Sequence, residues 1–138
     1  MLLLEIFQKA KNKKVSEKET YFATDLKAWH YSGKFDIIFS MESLYYSVPM
    51  EPVLKKVYRL LKKNGVFYCG TDFYKDNRLT TRWTKDMAIP MDLRSEKEWK
   101  KMFKNIGFET RTKHILDLKN KSKWKREFGT LFVTGKKL

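Results

Sequence analysis

Apolar positions at Leu2, Leu3, Ile6, Phe7 and Ala10 recur with helical spacing, and Lys11, Asn12, Lys13 and Lys14 close that pattern. The periodicity begins at the first residue with no capping residue before it. Residues 20–24 are rich in β-formers and short, with Asp25 after them, and residues 26–31 suit a helical turn. Phe35-Asp36-Ile37-Ile38-Phe39-Ser40 reads as a buried strand that opens into a polar turn at Met41 and Glu42. Over residues 50–63, Val53, Leu54, Val57, Leu60 and Leu61 fall on one helical face, and Asn64-Gly65 supplies a left-handed stop. Pro49 and Pro52 suit the first turn of that helix or its approach.

A second strand follows over residues 66–71, and then a long excursion over 75–94 with few local signals. Excursions of that length are commonly lids or mobile segments, although Trp83 and Met91 in this one are of the kind that pin a loop to a core. Ser95-Glu96-Lys97-Glu98 is a capping box, with Trp99, Met102, Phe103 and Ile106 as the buried stripe behind it and Gly107 as the stop. Residues 108–118 and 128–135 read as two closing strands joined directly, without a helix between them, which favours antiparallel pairing. The pattern predicts an α/β domain, its sheet mostly parallel with an antiparallel last strand.

The 138 residues fit one domain with a real core, and 42% hydrophobic content excludes a disordered chain. No apolar run approaches the roughly 20 residues of a membrane span. The first seven residues make neither a signal-peptide core nor a cleavage site. A soluble, cytoplasmic protein without a membrane partner is the expectation. The lone cysteine, Cys69, lies in a strand pattern and reads as a buried, inert thiol. One cysteine and two histidines do not make a zinc site of the usual kind, so no metal is expected.

The formal net charge is +14, from 30 basic and 16 acidic residues. Such a balance favours an anionic partner, but lysine predominates over arginine, the better phosphate and base reader. The basic stretch over 111–126, with Trp124 inside it, is the best local case for nucleic acid binding, against a solvated hairpin tip.

The residues from 21 to 137, taken together, resemble the C-terminal two thirds of a class I S-adenosylmethionine-dependent methyltransferase. The resemblance rests on several segments. Asp25 follows the short strand, and Phe35 to Glu42 match the fourth-strand motif. Leu60-Leu61-Lys62-Lys63-Asn64-Gly65 matches the turn before the fifth strand, and Gly129 to Lys136 match the closing strand. It implies a Rossmann-like methyltransferase sheet, with S-adenosyl-L-methionine as cofactor and, as acceptor, most simply a small molecule. By the same resemblance Asp25 and Leu26 would hold the adenine, and Ser40 and Met41 would line the methionine side. Glu42, Tyr45, Asp72 and Tyr74 would then face the substrate. No residue is assigned as catalytic, because methyl transfer needs mainly proximity and in-line geometry.

The first two strands of that sheet have no match. The six glycines stand at 33, 65, 70, 107, 129 and 135, and no two are spaced as G-x-G. Met1 to Asn12 resembles the remainder of a helix that would follow the missing second strand. The expectation is a single, truncated methyltransferase-like domain with weak or no cofactor binding. The strand at Phe35 is expected to carry an unpaired edge that invites self-association or a partner chain. The alternatives are a non-catalytic basic module binding nucleic acid, and a subunit completing its sheet with another chain.

Overall fold

The computed structural model describes residues 8–13 and 16–138. The chain divides into two units, Met1–His30 and Tyr31–Leu138. In the first, residues 8–12 are helical, and the part of that helical pattern over residues 1–7 lies outside the described residues. Residues 20–24 do not form the expected strand. A strand exists only through a ladder partner, and β-propensity alone does not supply one. The Asp25 carbonyl instead accepts from the amides of Ala28 and Trp29, making the expected turn, and Phe22 and Trp29 pack ring to ring at 5.2 Å.

The second unit is built on four strands in the order β1, β2, β4, β3. Strand β1 (Phe35–Met41) runs parallel to β2 (Leu61–Thr71), and helix α1 (Glu51–Leu60) connects them. After β2 come the short α2 (Trp83–Asp86), the long α3 (Glu96–Ile106), β3 (Glu109–Ile115), α4 (Lys123–Glu127) and β4 (Thr130–Lys136). Strand β4 is antiparallel to both β2 and β3, so β1, β2 and β3 share one direction. This is the expected mixed sheet. The connection between the closing strands, read as plain loop, carries α4.

Helix α1 ends three residues before the predicted boundary, because Leu61 is already extended and pairs with Phe35. Asn64, not Gly65, takes the left-handed conformation, at φ 66°. An asparagine side chain tolerates that region. The capping box of α3 forms as predicted: Ser95 Oγ accepts from the Glu98 amide, and the Glu98 carboxylate accepts from the Ser95 amide. Lys75 adds an ion pair at 2.9 Å, and these contacts hold the Glu98 carboxyl well below the usual range, at about 2.

Register divides the sheet into two unlike faces. Ile38, Ser40, Phe67, Cys69, Leu131, Val133 and Gly135 stand on one face, toward α1 and α3. The core there is aromatic: Phe67 stacks on Phe103 at 5.7 Å, Phe103 meets Phe108 at 5.4 Å, and Trp99 is fully buried. Gly135 lies beneath these rings, and an added Cβ would come within 2.7 Å of the Phe108 ring. Gly135→Ala is therefore expected to cost about 1–3 kcal/mol through overpacking. A urea denaturation midpoint measures it, and an unchanged midpoint would show that the rings shift freely.

The opposite face carries Ile37, Phe39, Met41, Val66, Tyr68, Gly70, Phe132 and Thr134. Within the Tyr31–Leu138 unit no described helix packs against it in the way α1 and α3 pack against the other.

Candidate functional site

Because β1 and β2 are parallel, their C-terminal tips open on the same side of the sheet, where α/β folds bind ligands. Strand β1 runs out at Met41, and Glu42 turns the chain with φ 54°, a conformation uncommon for a residue with a long side chain. Three contacts hold it there. The Glu42 amide donates to the Gly70 carbonyl at 2.9 Å, Tyr45 Oη donates to Oε2 at 2.9 Å, and the Asp72 amide donates to Oε1. The Glu42 carboxylate thus ties the tip of β1 to the tip of β2. Tyr45 is buried in the 3₁₀ turn Leu44–Tyr46, its ring 5.2 Å from that of Phe73.

Asp72 is the centre of the cluster and is almost completely buried. Its Oδ1 accepts from Thr130 Oγ1 at 2.5 Å, and its Oδ2 pairs with Lys125 Nζ at 2.7 Å. Its carbonyl accepts from Thr80 Oγ1 at 2.7 Å and Asn77 Nδ2 at 3.1 Å, which fastens the excursion after β2. Burial, and then the Asp72 charge, raise the Glu42 pKa above the ordinary carboxylate value. The Tyr45 hydroxyl, the Asp72 amide and Lys125 pull it back. Two carboxylates and one ammonium thus share one strand-tip cluster, the acids held by hydrogen bonds from neighbouring elements.

The sequence-derived positions divide among distinct places. Asp25 and Leu26 belong to the first unit, where Asp25 Oδ1 accepts from the Lys27 amide at 2.8 Å. Ser40 and Met41 end β1 in the second unit. Ser40 Oγ is 2.7 Å from Ser43 Oγ, and Met41 stands exposed on the open sheet face. Glu42, Tyr45 and Asp72 come together as described. Tyr74 is buried, and its hydroxyl donates to the carbonyls of Phe128 and Gly129 at 2.9 and 3.1 Å, anchoring the entry to β4.

Lys125 and Thr130 were not singled out as partners of Asp72 from sequence. The antiparallel pairing of β4 with β2, which the pattern did predict, places the start of β4 beside the end of β2, with Leu131 opposite Thr71. Thr130 was reachable by that route. Nothing in the spacing brings Lys125, 53 residues after Asp72, to the same point. Trp83 and Met91 pin the excursion, as such residues commonly do. Met91 is buried, and Trp83 stacks on Phe73 at 6.2 Å. Cys69 is buried, and burial pushes its thiol pKa up.

A polar chain runs from Tyr74 to His114 Nδ1 at 3.2 Å, and from His114 Nε2 to Glu96 Oε2 at 2.6 Å. Thr112 Oγ1 donates to Glu96 Oε1 at 2.7 Å. The His114 contact first, then Thr112, lower the Glu96 pKa below its usual 4.5. A depressed folded-state pKa contributes stability that is present above the unfolded value and lost as pH falls through the folded one. The acid limb of a stability profile is therefore expected to begin below about pH 4.5. It should shrink in His114→Ala, because the Glu96 pKa then returns toward its unfolded value. Coincident limbs in wild type and variant would contradict the assignment.

Part of the basic 111–126 segment is engaged within the fold, while Arg111, Lys113, Lys119 and Lys121 are exposed. Lys125 pairs with Asp72, Arg126 Nη1 donates to the carbonyls of Asn120 and Lys121 at 2.6 and 2.7 Å, and Trp124 meets Trp83 edge-on at 5.4 Å. The half-buried Trp124 ring is thus packed within the chain, not presented for base stacking. Two open clefts lie along α3, one beside Lys97, Lys100, Lys101 and Lys104 and the other beside Glu51, Arg94 and Met102. Neither is lined by residues of the strand tips.

The sequence matches the family model described as a methyltransferase domain over residues 2–113. The chain therefore belongs to the S-adenosylmethionine-dependent methyltransferase family. Similar folds occur in three solved structures. The first is a chain of the Haloferax volcanii complex between the Trm112 methyltransferase activator and its proposed methyltransferase, 24% identical, with TM-score 0.87. The second is the N-methyltransferase NodS from Bradyrhizobium japonicum with S-adenosyl-L-homocysteine, 15% identical, with TM-score 0.67. The third is human N-acetylserotonin methyltransferase with its S-adenosylmethionine, 15% identical, with TM-score 0.69. These matches cover 96%, 94% and 96% of this chain but 67%, 58% and 38% of the respective structures. No curated protein matches the sequence. No helix among the described residues is long and apolar enough to cross a membrane.

The residues present fit the family's cofactor, S-adenosyl-L-methionine, on one side only. The β1 tip offers Ser40 and Met41, and the side chain of Met41 lies against Gly70, where an added Cβ would meet its Sδ at 2.7 Å. A backbone turn free to approach a carboxylate closely would need glycines in G-x-G spacing, and the six present do not provide it. Among the described residues β1 is the edge of the sheet, so no strand flanks its outer side.

Proposed function

We propose that this chain forms the acceptor side of a methyl-transfer site, acting on a small molecule that carries a hydroxyl or amine. The observation that carries this reading is the joining of Glu42 and Asp72 across the tips of two parallel strands, where the fold binds ligands. S-adenosyl-L-methionine, when bound, supplies the methyl group. The chain's own residues supply position. The Glu42 carboxylate, held by Tyr45 and the Asp72 amide, presents its remaining lone pairs to a donor hydrogen on the substrate. Asp72, neutralised by Lys125, fixes the floor beneath it. Tyr45 holds Glu42 in place, and Tyr74 anchors the entry to β4, from which Thr130 reaches Asp72.

Asp25 and Leu26 are proposed for the adenine and Ser40 and Met41 for the methionine portion, with weak affinity because no two of the six glycines are spaced as G-x-G. The cytoplasm is the proposed location. Calorimetric titration with S-adenosylmethionine tests the affinity, with no saturation expected in the micromolar range. A one-to-one micromolar isotherm would contradict the one-sided fit.

A further inference from the structure

Helix α3 buries Trp99, Met102 and Phe103 against the sheet, and its outer side carries Lys97, Lys100, Lys101 and Lys104. Steps of three and four residues put all four lysines on one side of the helix, in a row about 10 Å long. Like charges at those spacings repel one another and disfavour the helix. The carboxylates that could offset them are engaged elsewhere. Glu96 lies four residues before Lys100, yet its two oxygens bond Thr112 and His114. Glu98 lies three residues before Lys101, yet it caps Ser95 and pairs with Lys75. Asp76 accepts from the Glu96 amide, and Glu51 pairs with Arg94 at 2.7 Å.

Two open clefts flank this ridge. The larger, about 640 Å³, is lined by all four lysines together with Asp76, Glu96 and Asn105. The second, about 430 Å³, runs between α3 and α1 and adds the exposed Lys55. Lys101 and Asn105 border both. The row of charge is thus a raised strip with a groove on each side.

We infer that the α3 lysine ridge docks the sugar–phosphate backbone of a double-stranded nucleic acid. A row of four cations about 10 Å long exceeds one phosphate group and suits a chain of them, since a duplex strand carries a phosphate every 3.4 Å or so of its axis. Lysine meets phosphate as a point charge and reads bases less well than arginine, so contact is to the backbone and not to sequence. No aromatic side chain lines either cleft, so the ridge lacks the stacking platform that a single strand uses. A membrane surface fits less well, because an interfacial helix inserts its apolar side, and that of α3 is spent on the core. An acidic peptide calls for an aromatic or apolar anchor in a pocket, and the apolar lining residue Met102 is itself buried. The net charge of +14 steers a polyanion toward the chain as a whole. Neither cleft includes Glu42 or Asp72, so docking does not rest on the proposed methyl transfer and is measured without cofactor.

The test is fluorescence anisotropy of a labelled duplex of about 20 base pairs and arbitrary sequence, titrated with the full chain over a range of salt. Saturable binding is expected, with log affinity falling against log salt at a slope of about −3 to −4, as four lysines on phosphates predict. Replacing Lys100→Gln together with Lys104→Gln should weaken binding at least tenfold at low salt and take about 2 from the slope, with no loss in the thermal melt. Replacing Lys119→Gln together with Lys121→Gln removes the same charge from exposed positions outside α3 and should leave affinity within about twofold. Equal losses in the two double variants would overturn the inference, since net charge alone would then explain binding. So would the absence of saturable binding, or tighter binding to a single strand, to phosphatidylserine vesicles or to polyglutamate than to the duplex.

Discussion

Phe103→Ala is expected to destabilise the Tyr31–Leu138 unit by about 3–5 kcal/mol, the range for removing a large buried aromatic ring. Phe103 is completely buried on the inner side of α3. It is stacked on Phe67 with an interplanar angle of 4°, and Phe108 and Trp99 flank it at 5.4 and 6.3 Å. The cavity it leaves would be walled by rings on β2, on α3 and in the turn after α3, and rigid rings collapse into a void less readily than flexible aliphatic chains. The same ring also overlies Gly135 of β4, where an added Cβ would come within 3.0 Å of it. A loss of this size is a large fraction of a domain's usual 5–15 kcal/mol, so chemical denaturation reads it directly. A loss below about 1 kcal/mol would mean that α3 is not seated on the sheet as described.

Asp72→Ala is expected to cost about 2–3 kcal/mol, in line with hydrogen bonds made to a charged group. The carboxylate receives Thr130 Oγ1 and Lys125 Nζ, and both partners come from the far end of the chain. Breaking a fully buried pair would cost more. The Lys125 side chain is about one third exposed and regains water when its partner goes, which places the figure at the lower end. Asp72→Asn keeps an oxygen for Thr130 while removing the charge, so it should lose less than the alanine variant. Equal losses for the two would show that the ion pair with Lys125, and not the Thr130 bond, dominates. Stability unchanged in both would contradict the described geometry of the strand tips.

Much of the fold was legible because its signals are local. The stripe Trp99, Met102 and Phe103 behind the Ser95 capping box specifies α3, and the apolar face of α1 specifies the crossover between β1 and β2. The closing antiparallel pair was readable from the short connection before it. The residues at 20–24 misled, because β-rich composition describes what a strand tolerates and says nothing about whether a neighbour is there to pair with it. The helix boundary at Leu61 was missed for a related reason: pairing with Phe35 outweighed the helical periodicity that Leu61 continued.

The candidate site was legible in part. Glu42 and Asp72 each follow a strand predicted to be parallel, which is enough to place both at one end of the sheet. That Glu42 would bond the Asp72 amide, and not only face a ligand, depends on its left-handed backbone, which a glutamate does not announce. Lys125 was read only as part of a basic segment, a solvated hairpin tip or a nucleic-acid contact, because it sits among other basic residues. Its inward turn toward Asp72 depends on α4, a helix of five residues too short to show a periodicity.

The central proposal is that this member of the methyltransferase family meets its cofactor at the β1 tip, with the Glu42 and Asp72 cluster on the acceptor side. Amide chemical-shift mapping during a titration with S-adenosylmethionine tests it most directly, since weak binding is still visible. The account predicts fast-exchange shifts at Asp25, Leu26 and residues 40–42, growing without saturation through the micromolar range, while Lys100, Lys101 and Lys104 on α3 stay in place. Shifts centred on the α3 clefts, or none at the β1 tip at any concentration, would contradict it.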